Sequence, residues 1–232
     1  MVSDNTIAII GDIHGCYNTL LSLFKHLNVI NKIYTVGDLI DRGKYSKDVI
    51  QFCIDKNIKP VMGNHEDMML KAIDSSDKFF GLMSDDAELY YYNGGRETQY
   101  SYISSRLFSN FKKFKQEIKA LGHLDFIKNL PLKYEFAKVV ISHAGIIEGG
   151  DEVSIIWNRK TPAYVEKLQI FGHTPLKEMV YRNNYYSNID TGCVYENKLT
   201  AVIVDTKTGK IEETIQENSN SIDIEQSFIN AV

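Results

Sequence analysis

Short apolar runs alternate with amphipathic segments in the first third of the chain. Three of these runs end at a glycine, which predicts buried strands, and between them apolar residues recur with helical spacing. The predicted strands are residues 7–10, 33–36 and 59–62. The predicted helices are residues 17–27, residues 46–57 and a segment that begins with residues 66–73. Repeated strand–helix units predict a parallel sheet covered by helices.

The pattern changes after this region. Residues from about 75 to 130 are rich in tyrosine, phenylalanine and lysine and mainly helical in pattern, which we interpret as an insertion that caps one end of the sheet. The remainder is mostly strand, with Lys207-Thr208-Gly209 as a hairpin turn between the last two strands. These strands are residues 132–136, 138–142, 168–171, 179–182, 185–189, 199–205 and 210–216. We therefore predict one domain over residues 1–216 and a polar, loosely ordered tail over 217–232.

Composition narrows the function classes. The chain has 232 residues, 44% hydrophobic and 24% charged, which is ordinary for a globular protein, and its net charge of −4 gives no basic footprint for nucleic acid. No apolar run approaches the roughly 20 residues that a membrane helix needs, and the N-terminus lacks the features of a signal peptide. Cys16, Cys53 and Cys193 lack metal-site spacing, which favours a reducing, cytoplasmic location. We expect a monomer without nucleic-acid or membrane partners.

Polar residues follow the three early strands at the point where each strand ends. The segments are Gly11-Asp12-Ile13-His14-Gly15, Gly37-Asp38-Leu39-Ile40-Asp41-Arg42-Gly43 and Gly63-Asn64-His65-Glu66. The carboxyl ends of parallel strands meet at one edge of a sheet, where such folds place their sites. The sequence therefore predicts that these side chains gather in one place.

Two further histidines follow apolar strands late in the chain, His143 in a Ser-His-Ala-Gly segment and His173 in Phe-Gly-His-Thr-Pro. The candidate ligands are now Asp12, His14, Asp38, Asn64, His143 and His173. Oxygen and nitrogen ligands without thiolate suit Mn²⁺, Fe or Zn²⁺ better than Ca²⁺. Six ligands are too many for one catalytic metal that also holds water, but they suit two metals that share a carboxylate.

The order of the five motifs (GDIHG, GDLIDRG, GNHE, SHAG and FGHTP) resembles the phosphoprotein phosphatase family of calcineurin-like metallophosphatases, in particular its bacterial and phage serine/threonine type. The motifs span residues 11–175. The resemblance implies an α/β fold in which a β-sandwich carries flanking helices and a helical cap insertion. It also implies two divalent metals, with Mn²⁺ expected, and direct attack of a metal-activated water on a phosphorylated protein.

The resemblance also assigns roles to single residues. Asp12, His14 and Asp38 would hold the first metal, and Asp38 would bridge to a second metal completed by Asn64, His143 and His173. His65 would be the general acid for the leaving group, paired with Asp41. Arg42 and, in Ile156-Trp157-Asn158-Arg159, Arg159 would bind the phosphoryl oxygens. The substrate-binding set is then Arg42, Arg159, Asn64 and Asn93.

Several alternatives stay open. Asn93-Gly94-Gly95 and the surrounding tyrosines form either a substrate-facing loop or a helix–helix turn that packs the insertion. His26 and His123 have no metal-like neighbours, and we interpret both as structural or surface residues. A dinucleoside tetraphosphatase that cleaves a phosphoanhydride shares the early motifs and is the competing activity. A non-catalytic phosphate-binding module ranks last, because every expected ligand is present.

Overall fold

A computed structural model of the chain describes residues 3–76, 84–103 and 111–224. Its elements are named in chain order. The strands are β1 Thr6–Ile10, β2 Ile33–Thr35, β3 Lys59–Pro60, β4 Lys133–Glu135, β5 Val139–Ser142, β6 Leu168–Phe171, β7 Val180–Arg182, β8 Tyr186–Asn188, β9 Lys198–Asp205 and β10 Lys210–Asn218. The helices are α1 Tyr17–Phe24, α2 Ser46–Asp55, α3 Asn64–Ser76, α4 Asp85–Tyr92, α5 Gly95–Tyr102, α6 Phe111–Ala120 and α7 His123–Lys128.

The strands form two five-stranded sheets. The first has the order β10-β9-β1-β2-β3, and the second has the order β4-β5-β6-β8-β7. In the first sheet β1, β2 and β3 are parallel, as predicted, whereas β9 runs antiparallel to β1. Both sheets are therefore mixed. The parallel strands of each sheet carry the predicted site motifs at their carboxyl ends.

The two sheets pack face to face. One apolar cluster contains alternate residues from both, such as Ile7 and Ile9 of β1 with Ile141 of β5 and Ile170 of β6. A second cluster lies on the other face of the first sheet, where α1 and α2 cover it. The predicted β-sandwich with flanking helices is confirmed, and its two cores follow from the period of two along β1.

The insertion is helical where the structure describes it. Apolar residues of α4 to α7, including Tyr90, Phe114 and Ile127, belong to the same cluster as Leu20 of α1 and Ile50 of α2. The insertion thus extends the helical layer beside the sheet and shares its core. Parts of the predicted insertion, residues 77–83 and 104–110, lie outside the described residues.

The segment after residue 216 differs from the prediction of a loosely ordered tail. β10 continues to Asn218, a 3-10 turn covers Ser221–Asp223, and Ile224 pairs with Gly43. The polar sequence gave no sign of this order because the Asp223 carboxylate is buried with hydrogen bonds from Asn18 and Thr19. Residues 225–232 lie outside the described part of the chain.

Two smaller predictions concern the hairpin and the membrane. The β9–β10 hairpin turns at residues 206–209, where Gly209 has φ +72° and the Asp205 carboxylate accepts the N–H groups of Lys207 and Thr208. Among the described residues, no helix has both the length and the apolar character needed to cross a bilayer.

Candidate metal centre and active site

Loops at the carboxyl ends of five strands converge on one place in the molecule. β1 leads to Asp12 and His14, β2 to Asp38, β3 to Asn64, β5 to His143 and β6 to His173. Three of these residues have left-handed backbone conformations, with φ of 46° at His14, 48° at Asp38 and 69° at His173. Such conformations are uncommon in residues other than glycine, and they persist only where the surrounding structure holds them in place. They cluster at functional sites.

Asp38 lies at the centre of the cluster and is buried. Its Oδ2 is 3.5 Å from Nε2 of His14 and 3.9 Å from Nε2 of His65, and its Oδ1 is 3.4 Å from Nε2 of His143. The ligand atoms fall into two groups that share Asp38, one with His14 and His65 and one with His143 and His173. A carboxylate shared between two groups is the arrangement that a bridging ligand requires.

Asn64 joins the second group, in which an amide oxygen and two imidazole nitrogens face one another. Oδ1 of Asn64 is 2.8 Å from Nε2 of His143 and 2.8 Å from Nδ1 of His173, and the two histidine nitrogens are 3.2 Å apart. Neutral imidazole nitrogens and an amide oxygen repel at such distances unless a proton or a cation lies between them. This arrangement fits a metal ion bound by nitrogen and oxygen.

Asp12 approaches the same place from β1. Its Oδ2 accepts the backbone N–H of His173 at 3.0 Å, whereas its Oδ1 is buried and has no hydrogen-bond partner. A Cβ atom at Gly172 would lie 1.9 Å from this Oδ1, so only glycine permits the close approach. An orphaned buried carboxylate oxygen is costly, and a metal ligand role explains it.

Backbone carbonyls orient two of the histidines. The Nδ1–H of His14 donates to the carbonyl of Ile40 at 2.8 Å, and the Nδ1–H of His143 donates to that of Val36 at 2.7 Å. Each bond favours the tautomer with its proton on Nδ1, which leaves the lone pair of Nε2 for a metal. Both carbonyls belong to the segment that also carries Asp38, so one segment provides a candidate ligand and orients two others.

The electrostatics of the cluster favour a cation. Burial and the nearby Asp190 carboxylate raise the pKa of Asp12, and burial raises the pKa of Asp190 to about 6. Burial lowers the pKa of His143, but the charge of Asp38, its hydrogen bond to His143 and the charge of Asp12 together raise that pKa to about 10. Burial and the charge of His143 lower the pKa of His173 to about 3. Buried carboxylates that raise one another's pKa values suit a site that divalent ions neutralise.

His65 and Asp41 form a buried pair beside this cluster. Nδ1 of His65 is 2.6 Å from Oδ2 of Asp41, which leaves Nε2 on the side of Asp38. The other oxygen of Asp41 accepts the hydroxyl of Thr98 at 2.6 Å, and the Asp41 N–H donates to the hydroxyls of Thr98 and Ser46. A residue of the insertion therefore fixes the carboxylate that orients His65.

Arg42 follows Asp41, and both residues have left-handed backbones, with φ of 73° at Asp41 and 69° at Arg42. Nη1 of Arg42 is 2.6 Å from Nε2 of His14, and its guanidinium carbon lies 5.6 Å from the ring centroid of Tyr195. Its backbone N–H donates to the carbonyl of Gly94, and a Cβ atom at Gly94 would lie 2.8 Å from the Arg42 side chain. The Asn-Gly-Gly segment thus contacts the site through its backbone.

Two predicted substrate residues are placed less closely. Arg159 is exposed and lines a cavity of about 180 Å³, and its charge acts on His173, whose ring lies 5.9 Å from that of Trp157. The amide of Asn93 donates to the carbonyl of Leu89 and ends α4. The described contacts of Asn93 are those of a helix–helix turn, so its substrate role stays a prediction.

The tyrosines of the insertion divide between the two interpretations. Tyr90 and Tyr102 are buried, and the Tyr102 hydroxyl is 2.7 Å from Nδ1 of His123, which confirms a packing role for these three residues. Tyr92 is 86% exposed. His26 is a surface residue, as predicted, with 60% of its side chain exposed.

Sequence reasoning missed three residues that hold the site. The sequence placed Glu66 at the start of a helix and gave it no role in the site, but its buried carboxylate accepts the N–H groups of Asp38, Leu39 and Gly63. Burial and then Asp38 raise the pKa of Glu66 to about 8. Thr98 and Tyr195 are the other two, and neither lies in a motif that could have revealed it.

The chain is similar to known proteins in sequence and in fold. The calcineurin-like phosphoesterase family matches residues 6–204. The asymmetrical bis(5′-nucleosyl)-tetraphosphatase PrpE of Anoxybacillus flavithermus is 29% identical, over 84% of this chain and 88% of its own. Serine/threonine-protein phosphatase 2 of Salmonella typhimurium is 27% identical, over 84% of this chain and 90% of its own. A metallophosphoesterase structure from Sphaerobacter thermophilus has a TM-score of 0.57 at 14% identity, covering 97% of this chain and 96% of that one.

Fold, ligand cluster and family match together define a metal-dependent hydrolase of phosphoric esters. The chain belongs to the calcineurin-like phosphoesterase family. The relatives carry both protein-phosphatase and tetraphosphatase names, so the family fixes the chemistry and leaves the leaving group open.

Proposed function

We propose that the protein is a phosphomonoesterase that hydrolyses phosphoserine and phosphothreonine in proteins. The buried His65–Asp41 pair carries this proposal. A serine or threonine alkoxide is a poor leaving group and needs a proton as the phosphorus–oxygen bond breaks. In hydrolysis of a dinucleoside tetraphosphate the leaving group is a nucleotide phosphate, which needs much less protonation. A histidine buried and held by a carboxylate at 2.6 Å is the device that the alkyl ester requires.

The roles of the site residues are part of the same proposal. Asp12, His14 and Asp38 would hold one ion, and Asp38, Asn64, His143 and His173 would hold the second. When bound, the ions would lower the pKa of a water and neutralise charge on the substrate. The mixed nitrogen and oxygen donors favour Mn²⁺, with Fe and Zn²⁺ as alternatives. The buried thiols of Cys16, Cys53 and Cys193, none in a disulfide, support a cytoplasmic location.

The chain's own groups would divide the remaining work. Arg42 and Arg159 would bind the phosphoryl oxygens, since a planar guanidinium donates two parallel hydrogen bonds to them. Nδ1–H of His65 would donate to Asp41, and the proton on Nε2 would pass to the leaving oxygen. The Thr98 hydroxyl donates to the side chain of Asp41, and the Asp41 backbone N–H donates to Ser46, so both would hold Asp41 in place. No phosphoenzyme is required.

His65→Asn tests the proposal. The substitution should lower kcat for an alkyl phosphate such as a phosphoserine peptide by about 10²–10⁴-fold, the usual contribution of a general acid. Hydrolysis of p-nitrophenyl phosphate in the same variant is the internal control, because that leaving group needs little protonation. The expected result is a much smaller loss on the aryl ester. An equal loss on both esters would show that His65 is not the acid.

Dinucleoside tetraphosphate hydrolysis is the second candidate. A cavity of about 510 Å³ lies beside the site and is lined by Tyr195, whose ring is next to Arg42. A cavity with an aromatic wall beside the phosphate site could hold a nucleoside. Parallel assays of phosphate release from the peptide and nucleotide release from diadenosine tetraphosphate, both with Mn²⁺, decide between them. A higher kcat/KM on the dinucleotide would replace the first proposal with the second.

A further inference from the structure

The last described residues of the chain lie against the active site. We name residues 219–224 the C-terminal clasp. It begins where β10 ends, and it lies beyond residue 204, where the family match stops. Asp223 is fully buried, next to the buried apolar side chain of Ile224. A buried carboxylate needs hydrogen-bond donors for its oxygens. The elements that provide these donors show which parts of the molecule the clasp connects.

The first contact is with the start of α1. Oδ1 of Asp223 accepts the backbone N–H and the side-chain amide of Asn18, at 2.9 and 2.8 Å. Its Oδ2 accepts the backbone N–H and the hydroxyl of Thr19, at 2.9 and 2.7 Å. α1 has no side-chain cap at Cys16 and no acidic residue in its first turn. Asp223 therefore supplies, from about two hundred residues away, the N-cap that α1 lacks.

The second contact is with the loop that carries Arg42. The N–H of Lys44 donates to the backbone carbonyl of Asp223 at 2.9 Å, and Ile224 pairs with Gly43. Gly43 in turn donates to the carbonyl of His14 at 3.1 Å, and a Cβ atom there would lie 2.2 Å from that oxygen. The clasp thus contacts the Arg42 loop at Gly43 and Lys44, and Gly43 connects that loop to the His14 loop.

The Arg42 loop needs this support. Asp41 and Arg42 are consecutive left-handed residues, each costing roughly 1–2 kcal/mol relative to the usual conformation. Contacts from outside the loop hold it: Thr98 and Ser46 at Asp41, Gly94 at Arg42 and the clasp at Gly43 and Lys44. Among the described residues, the clasp bonds both to this loop at Lys44 and to the start of α1 at Asn18, and α1 continues directly from the Asp12–His14 segment.

We propose that Asp223 is a positioning residue for phosphate binding: it caps α1 and clamps the Gly43–Lys44 backbone, so that Arg42 and His14 keep their relative placement. The inference rests on the proposed role of Arg42 in binding the phosphoryl group, and it holds for either substrate class.

The test uses the full-length protein loaded with Mn²⁺. Asp223→Ala should raise KM for p-nitrophenyl phosphate and the inhibition constant of inorganic phosphate by about tenfold, the equivalent of one hydrogen bond to a charged group, with a smaller change in kcat. Asp205→Asn is the matched control, because that carboxylate also caps a turn through two N–H groups but lies on the β9–β10 hairpin. It should leave both constants unchanged. Thr19→Val removes one contact of Asp223 and should give a smaller increase, and it replaces Asp223→Ala if that variant does not fold.

A double-mutant cycle with Arg42→Ala separates the possible failures. If Asp223 acts through Arg42, the phosphate inhibition constant of the double variant should match that of Arg42→Ala alone. A lower melting temperature with wild-type KM and inhibition constant in Asp223→Ala and Thr19→Val would overturn the positioning role, as would additive effects in the cycle. An unchanged inhibition constant in Arg42→Ala would instead refute the proposed role of Arg42.

Discussion

The two arginines beside the metal centre are held in opposite ways. Arg42 is half-buried, and its loop is fixed by the insertion, by the His14 loop and by the C-terminal clasp. Arg159 is exposed and follows Asn158, whose amide bonds to the carbonyls of Ala144 and Ser154. The firmly held Arg42 suits the phosphoryl group, which every substrate has. The exposed Arg159 suits contact with the parts of the substrate that differ from one substrate to another. The difference predicts that the proposed phosphate binding is preorganised on the Arg42 side.

Substitution of Asp38, the proposed bridging ligand, should cause the largest loss of activity. Asp38→Asn should lower activity by on the order of 10³-fold or more, because metal ions supply several kcal/mol of charge stabilisation and each ~1.4 kcal/mol is tenfold. Bound Mn²⁺ should fall with it, measured by elemental analysis after gel filtration. Full activity in this variant would rule out a two-metal site built on Asp38.

Arg42→Ala and Arg159→Ala test the comparison directly, each as control for the other. Loss of a preorganised donor costs about 10²–10³-fold in rate, so kcat/KM of Arg42→Ala should fall by that amount. An exposed charge contributes roughly 0–1 kcal/mol, so Arg159→Ala should lose less than about tenfold. Steady-state kinetics on an aryl phosphate decide it. Equal losses of kcat/KM in the two variants would mean that the exposure of Arg159 in the free protein does not predict its contribution to catalysis.

Thr98→Val addresses the contribution of the insertion. The valine removes a hydroxyl that donates to Asp41 and accepts its N–H, which should cost about 1.5–3 kcal/mol in the free energy of unfolding. It should also slow hydrolysis of alkyl phosphates more than aryl phosphates, because Asp41 orients His65. Thr98→Ser keeps the hydroxyl and should behave as wild type. Denaturant unfolding and the two substrates provide the measurements, and an unchanged alkyl-to-aryl ratio would separate Thr98 from His65.

A pH effect of the insertion is the smallest expected. Burial and the Lys47 charge lower the pKa of His123 to about 4, below its ordinary 6.5. The folded state therefore resists protonation. Stability is complete above pH 6.5 and falls as the pH drops towards 4, by about 1 kcal/mol once solvent screening is allowed for. His123→Gln should remove this part of the acid sensitivity, and exposed His26→Gln should not. Urea unfolding at several pH values tests this, and an unchanged pH slope in His123→Gln would contradict it.

The sequence predicted the layers and the cluster but not its supports. Strand ends marked by glycine and followed by Asp, Asn or His predicted that the six candidate ligands lie together, because the carboxyl edge of a sheet gathers such residues whatever the rest of the fold. Thr98 and Asp223 could not be found this way. Each acts through long-range hydrogen bonds, to partners 57 and 204 to 205 residues away, and neither belongs to a periodic pattern.

The polar composition of the last segment was misleading for the same reason. Hydropathy measures apolar burial, whereas Asp223 is buried by donors on α1. Glu66 was placed correctly on a helix, yet its acceptance of three backbone N–H groups depends on the conformation of the Asp38 loop, which the sequence does not reveal.

The ligand cluster also spans the seam between the two sheets. Asp12, Asp38 and Asn64 come from the first sheet, whereas His143 and His173 come from the second. Ion binding is therefore linked thermodynamically to the docking of one sheet on the other, since the unfolded chain cannot present these ligands together. The melting temperature of this protein should accordingly follow the concentration of free divalent ion, which makes thermal stability a direct titration of the site.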